Sequence, residues 1–440
     1  MKIGELIDIK EIEKGFREAA LKDGDAAFRH FLSSIDVPIP QCTKCGTPLK
    51  KVDEREKTVV SLLGTGAFRR PYFECPDCHE HFLPCDDLIG IGGTAYTPGV
   101  RFAVSKLATT GSFDWTSDIL AEVVQIYVSP KEVQRISESA GEAIASNAQE
   151  RIKTVMLPES AKSGLSEQAE KVCDNNTTLY IEYDGTGIPM TKSELVGRNG
   201  KQSDGSSKTR EAKLGCIFTQ SKFDKEGLPL RDKNSSSYFG AIETSELFGW
   251  RAYEEAIRRG INGYERTVVI GDGAKWIWGI ANQHFPKAIH IVDLYHAIEH
   301  LNGLVRELFP DILERAIILD DWVSLLKSGD IEGLADKILK VPNLAKEKAD
   351  KARIEANYFS ENADRMRYDK YKAMGLFSGS GVIEAGCKTV IGKRLKQSGM
   401  FWSLSGANAI IALRCADLSC NEDFTEHFTP KQFTAMARSA

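Results

Sequence analysis

Residues 177–190 read TTLYIEYDGTGIPM. The apolar and aromatic run from Leu179 to Tyr183 has the composition of a buried strand. It closes at Asp184, with Gly185 and Gly187 behind it. Working outward, EAKLGCIFTQSK (211–222) predicts a second strand, followed by Gly227-Leu-Pro and a Ser-rich loop, and SYFGAIE (237–243) a third. The period then changes. SELFGWRAYEEAIRRG (245–260) predicts a helix, TVVIGDG (267–273) a strand ending at Asp272, AKWIWGIANQHF (274–285) a helix, and AIHIVD (288–293) a strand ending at Asp293. A βββ-then-αβα order predicts an α/β sheet domain. Residues 297 to about 375 read as helical, polar and charged, and no strand pattern follows. The block GSGVIEAGCKTVIGKRLKQSGMFWSLSGANAIIALRCADL (379–418) opens Gly-rich and continues as helix.

Three acids stand at the ends of these elements beside glycine: Asp184 in EYDGTG, Asp272 in VIGDGA and Glu384 in SGSGVIEAGCK. A carboxylate at the carboxyl end of a strand projects into the crevice where open α/β sheets place their chemistry. Three converging carboxylates suit hard divalent cations, Mg²⁺ or Mn²⁺. Two such ions about 3.5–4 Å apart activate the attacking oxygen and stabilise the leaving one in phosphoryl transfer. The neighbouring glycines allow a DNA backbone to come close. A single Asp after a strand is more often a turn or cap residue; the repeated context is what carries the signal. DGT and GDG are also similar to motifs of haloacid dehalogenase-like phosphatases. Those need D-x-D-G-T, and the first acid here is Glu182; AKW follows GDG where further acids are required.

Nearer the N-terminus, Cys42 and Cys45 form one C-x-x-C and Cys75 and Cys78 another. Two such pairs supply four thiolates to one tetrahedral, structural Zn²⁺. The 29 residues between them exceed the common spacing of roughly 15–20, and KTVVSLLGTGAFRRPYFEC (57–75) supplies a hairpin to fill the gap, as in a zinc ribbon. A redox site would need one pair rather than two. Cys85, His79 and His81 read as bystanders, with either histidine a substitute ligand. The other cysteines of the ten are scattered and suit small core positions.

The segment before the cysteines predicts an amphipathic helix with Leu6, Ile9, Ile12 and Phe16 on one face. Residues 98 to about 170 are helical by period, broken at YVSP; Ser129 then Pro130 is a strong helix start. Helix, turn and capped helix suggest a helix-turn-helix DNA-binding region, with a plain helical bundle the alternative. Net charge is −5, which argues weakly against nucleic acid, but binding depends on local patches. Val196–Lys222 carries six Lys/Arg against Asp204 and Glu211. Ala385–Arg414 carries Lys388, Lys393, Arg394, Lys396 and Arg414 with no acid; the first four are candidates for phosphate contacts. No apolar run approaches a membrane span and the N-terminus lacks a signal-peptide pattern, so a cytoplasmic protein is expected.

Taken together, DGTGIPM, TREAKLGCIFTQ, GDGAKWIWGIANQHFPKAIHIVDLYHAIEHL and the 379–418 block (through IIALR) resemble the DDE transposases of bacterial insertion sequences, of the ISKra type related to Mutator-like elements. The resemblance is strong from about 179 to 415 and looser before. It implies an RNase H-like catalytic core at 173–420 with an all-helical insertion at 297–375. Before the core it implies an N-terminal helix (1–38), a zinc ribbon (39–95) and a helical DNA-binding region (96–172); a tail follows at 421–440. It implies Asp184, Asp272 and Glu384 as the ligands of two Mg²⁺ (or Mn²⁺) ions, and a D-x-x-H element, Asp293 and His296, near the scissile strand. The partners implied are double-stranded DNA, as terminal inverted repeats and target, and further copies of the chain in a dimer or higher oligomer. A catalytically silent DNA-binding descendant would share every N-terminal feature; only the intact acids favour the enzyme. Trp276, Trp278 and Trp402 read as core, Trp402 alternatively as a DNA contact.

Overall fold

A computed structural model describes residues 8–157, 177–200 and 207–429. Leu6, Lys201, Asp204 and residues 430–440 of the expected tail lie outside them. The chain divides into two compact units, one holding the residues up to Ala140 together with those from Asp423, the other Gly141–Glu422.

The first unit opens with α1 (Ile9–Ser33), capped by the Asp8 carboxylate, which accepts from the Glu11 amide at 3.2 Å. The apolar face expected there is not buried: Ile9, Ile12 and Phe16 are exposed, Phe16 to 78%. The helix packs through its last turns instead. Leu32, with Phe28 beside it, joins Val59, Phe68, Cys85 and Ile91 in one core. The surface it meets is the hairpin of β1 (Lys50–Ser61) and β2 (Gly64–Glu74), which is longer than expected and adds a short β3 (His81–Phe82). Asp86 of α2 (Pro84–Leu88) fastens this hairpin from below. Its two oxygens take the Arg70 guanidinium at 2.5 and 3.1 Å and Lys57 at 3.0 Å. All three charges are thereby paired, which a buried carboxylate requires.

Next come α3 (Pro98–Ala108) and α4 (Phe113–Ile119), which runs into a π turn at Leu120–Val124. The turn is closed by Gln125 in the left-handed region, and the long α5 (Pro130–Met156) follows. Ser129 accepts from the Glu132 amide at 3.3 Å, as its position before Pro130 predicts. Val100, Val104, Leu120, Val128, Val133 and Ile136 close one core among these helices. The helix Asp423–Phe428 adds Phe424 and Phe428, both edge-on to Phe102.

In the second unit, the three strands expected first, β4 (Thr178–Pro189), β5 (Thr209–Gln220) and β8 (Ser237–Ala241), pair antiparallel. A minor ladder of β6 (Lys222–Phe223) and β7 (Pro229–Leu230) lies between the last two in sequence. Helix α6 (Ser245–Arg258) leads to β9 (Arg266–Gly271), and α7 (Lys275–His284) to β10 (Ile289–Val292). Both strands run parallel to β4, giving a five-stranded mixed sheet of order β10-β9-β4-β5-β8. Helices α8 (Leu294–Leu308), α9 (Ile312–Lys327), α10 (Ile331–Leu339), α11 (Lys346–Glu361) and α12 (Tyr368–Ala373) fill the stretch expected to be helical. Then α13 (Gly381–Gly386) passes through a π turn (Cys387–Gly392) into α14 (Lys393–Leu395), and α15 (Leu404–Leu418) completes the unit.

Side chains alternate across the sheet. Tyr183 faces the side where Phe239, Phe248 of α6 and Trp276 of α7 meet it, with ring centres 5.8–6.5 Å apart. Tyr180, Glu182 and Asp184 face the other. There Tyr180 stacks on Phe218 at 5.0 Å and meets Phe377 edge-on. Helix α5 reaches α15 at Gly141, where an added Cβ would lie 2.0 Å from the Ala409 carbonyl oxygen. Only a residue without a side chain lets the two backbones come this close.

Candidate active site and cysteine cluster

The two C-x-x-C turns have the same backbone. In the first, the Gly46 amide donates to the Cys42 carbonyl at 2.8 Å and the Cys42 amide to the Thr47 carbonyl at 2.8 Å. In the second, His79 donates to Cys75 at 3.0 Å and Cys75 to Glu80 at 2.9 Å. Gly46 (φ 76°) and His79 (φ 54°) hold the equivalent left-handed position. These turns aim four thiols at one point, with Sγ–Sγ distances of 3.4 Å (Cys42–Cys78), 3.5 Å (Cys45–Cys75) and 3.9 Å (Cys45–Cys78). A tetrahedral Zn²⁺ with Zn–S near 2.3 Å needs about 3.8 Å between sulfurs, so the residues fit a zinc ion. The Thr47 hydroxyl pulls the Cys45 pKa down to about 6, whereas the hydrogen bonds that the Cys78 thiol gives to Cys75 and Cys42 push its pKa up to about 12. His79 instead bonds Glu74 at 3.0 Å, His81 stacks on Tyr72, and Cys85 lies in the neighbouring core.

The carboxylates are placed by the sheet register. β4 pairs with β9 as far as Glu182↔Ile270, and β10 with β9 as far as Val292↔Gly271. Asp184, Asp272 and Asp293 therefore continue three neighbouring parallel strands at one level and on one face. Strand β4 was expected to end at Asp184 but does not: its parallel pairing stops two residues earlier, at Glu182, while its antiparallel pairing with β5 runs on to Pro189. Asp184 is half-buried, and that burial raises its carboxyl above the usual range. The Cys387 thiol and the Gly185 amide offset part of this, and the charge of Asp272 adds to it. Asp272 lies in a tight turn, its Oδ1 accepting from the Ala274 amide at 2.9 Å. Gly273 has φ 93°, and a Cβ there would lie 2.8 Å from the Tyr358 hydroxyl. Glu384 is exposed on α13.

Among the described residues, the four cysteines are the one group of three or more metal-binding side chains whose ligand atoms all lie within 4.8 Å of one another. The three carboxylates are thus a looser set. Oxygen donors from two facing aspartates and an exposed glutamate fit hard divalent cations by chemistry.

Asp293 and His296 come to the same end of the sheet but differ in exposure. Asp293 is 1% exposed, and both its oxygens are taken. Oδ1 accepts from the His296 amide at 2.9 Å, capping α8, and Oδ2 accepts from the Ser380 amide and hydroxyl. That saturation leaves it no contact with a substrate. His296 is partly exposed and lines a cleft of about 490 Å³ with Glu299, His300 and Glu355. Its ring lies 5.2 Å from that of His300, which stacks on Tyr358.

Of the four basic candidates, Lys388, Lys393 and Lys396 are exposed, and Lys396 bonds the Thr186 hydroxyl beside Asp184. Arg394 departs from expectation. It is fully buried, its guanidinium over the Trp402 ring at 5.1 Å and 3.5 Å from the Met400 sulfur, so it cannot meet a phosphate. Arg414 is likewise buried, donating to the carbonyls of Thr389 and Val390. Trp402 packs, its Nε1 donating to Leu395 at 3.0 Å.

Sequence reasoning missed three groups. In the sequence Glu182 stands out only as a mismatch to a phosphatase motif. It is fully buried, and burial pushes its carboxyl up to about 8. Cys387 bonds Asp184, and the Tyr358 hydroxyl lies 3.5 Å from the Asp272 carbonyl. Only Glu182 left a signal, as a lone acid at the same parity as Asp184 in an apolar strand.

No helix among the described residues is long and apolar enough to cross a membrane. A search of curated proteins finds no match. Among solved structures, the Drosophila P element transposase strand transfer complex is similar over 75% of this chain and 80% of that one, with 8% identity and a TM-score of 0.26. A family model matches residues 2–425, and the chain belongs to that family, the uncharacterised protein family UPF0236.

Proposed function

We propose that the chain is a DDE-type DNA transposase of the ISKra kind, with an RNase H-like core. It would cleave strands at transposon ends and join them to target DNA. The observation that carries this reading is the register placing Asp184 and Asp272 side by side at the end of adjacent parallel strands, with Glu384 on the helix covering that face. The βββ-then-αβα strand order supports it.

In this reading Asp184, Asp272 and Glu384 hold two Mg²⁺ or Mn²⁺ ions. The ions supply Lewis acidity to the phosphodiester and its attacking oxygen. Lys388, Lys393 and Lys396 bind phosphates, giving affinity rather than sequence choice. Cys42, Cys45, Cys75 and Cys78 hold a structural zinc, and the first unit recognises the terminal repeats. Joining two ends calls for a dimer or higher oligomer. Asp293 positions rather than reacts, and His296 stays a candidate contact to the scissile strand. The phosphatase alternative would make Glu182 the nucleophile, but that carboxyl is fully buried.

The test is metal-dependent nicking of labelled DNA carrying the element's ends, by wild type and Asp272→Ala. Nicking by wild type alone is expected. Equal nicking by both sinks the assignment of Asp272. Tight DNA binding by both without nicking makes the chain a silent DNA-binding descendant.

A further inference from the structure

The segment that delivers Glu384 is tied down at four points by one small set of groups. The Phe377 amide donates to the Tyr180 hydroxyl at 3.2 Å. The Ser378 carbonyl accepts from the Leu294 amide at 2.8 Å. Ser380 gives its amide and its hydroxyl to Asp293, and the Ile383 amide donates to Glu182 Oε2 at 2.8 Å. Three of the four anchors are side chains from the sheet level, and two of those, Tyr180 and Glu182, share a face of β4 with Asp184. The third, Asp293, follows β10.

Glu182 is the informative member. It is fully buried, and its Oε1 has no hydrogen-bond partner among the described residues. A buried carboxyl with an unpaired oxygen costs stability, and an apolar side chain would serve the sheet better. What the carboxyl supplies is an acceptor for the amide next to Glu384. The Tyr180 hydroxyl is likewise committed, donating to Gln220 Oε1 at 3.0 Å while it accepts from Phe377.

We propose that Tyr180, Glu182 and Asp293 are positioning residues. They form a clamp that fixes residues 377–383 so that Glu384 faces the Asp184–Asp272 pair, and none of them touches substrate. One strand face then does two jobs: positions 180 and 182 hold the loop, and 184 supplies the carboxylate it must meet. Glu384 is exposed and stands in the first turn of a helical segment that runs on through the π turn, so where that segment begins decides where the carboxylate lies. The proposal rests on the reading of Glu384 as a metal ligand, but the clamp itself is testable without that reading.

The experiment uses the full chain with its zinc. It measures amide hydrogen exchange over 377–386 without added divalent ion, then titrates Mn²⁺ and follows binding by its electron spin resonance. Glu182→Leu removes the acceptor; Glu182→Gln keeps one. Losing a buried hydrogen bond corresponds to roughly a tenfold change. Glu182→Leu is therefore expected to speed exchange at 383–384 about tenfold and to weaken Mn²⁺ binding about tenfold, with Glu182→Gln restoring both. A merely structural role would lower the melting temperature without moving the Mn²⁺ midpoint of the folded protein, and that result overturns the proposal. So does exchange unchanged in Glu182→Leu, or Gln as damaging as Leu. Should Glu182→Leu fail to fold, Ser380→Ala removes only a hydroxyl. Faster exchange confined to 377–386 supports the clamp, and unchanged exchange refutes it. Wild-type protein that binds Mn²⁺ and shows the clamp but never nicks DNA defeats the transposase reading alone.

Discussion

The cysteine cluster and the carboxylate set solve opposite electrostatic problems. Four thiols are drawn together by two copies of one short turn, to sulfur contacts of 3.4–3.9 Å. The acids stand farther apart, on strands and a helix remote from one another in sequence. A soft, closed site is built by local backbone geometry. An open site for hard cations must hold like charges near one another and still admit a substrate, so it draws on long-range pairing.

The sharpest way to break this contrast is to remove the metals one at a time. A structural zinc contributes on the order of 10 kcal/mol of binding free energy, so stripping it, or Cys75→Ser, should unfold the hairpin. Atomic absorption should find one zinc per wild-type chain, and far-UV circular dichroism should show the loss. Full zinc retention by Cys75→Ser would end the four-thiol assignment. The carboxylate site should respond more mildly. Divalent ion at a hundredfold over its dissociation constant stabilises by about 2.7 kcal/mol, seen as a higher melting temperature. Asp272→Ala should abolish that shift and leave the secondary structure intact.

A smaller effect distinguishes the sites without metal. Burial and Asp272 raise the Asp184 carboxyl, so the folded state disfavours its charge. Asp184→Asn should therefore raise the metal-free melting temperature by roughly 2 °C near neutral pH, measurable by calorimetry, even as it weakens metal binding. A decrease would show that Asp184 is better satisfied than its surroundings indicate. An effect confined to acid pH concerns His284, whose pKa burial lowers to about 4 while its ring packs on Trp250. Its unfolded form binds a proton first, so its contribution to stability is complete above about pH 6.5 and falls away between there and about 4. His284→Gln should flatten that part of the stability profile; an unchanged slope would assign it to other groups.

The sheet was legible because each strand and helix carries its own period, and the cysteine ligands because their spacing is local. Asp184 and Asp272 were legible as positions, since glycine marks the end of a strand pairing. What could not be read is whatever depends on a partner far along the chain. Glu182 meets Ile383, and Asp293 meets Ser380, only after the sheet has formed. Arg394 was misread for a related reason: its charge suggested surface, but Trp402, eight residues on, covers it. On α1 the apolar stripe was real, but burial depends on a facing surface, and the hairpin lies under the other end.

The π turn at Cys387–Gly392 separates Glu384 from Lys393, Arg394 and Lys396. A π turn holds one residue more than an α-helical turn, and each residue of an α-helix advances its face by about 100°. The segment therefore acts as a phase shift: at its first residue, Cys387 meets Asp184; downstream, Lys396 reaches Thr186 while Arg394 turns inward. Deleting Thr389, an uncharged residue of this turn, would change no charge, yet it would take away the extra residue that sets the phase between the two halves, and with it the choice of which side chain among Lys393, Arg394 and Lys396 turns inward.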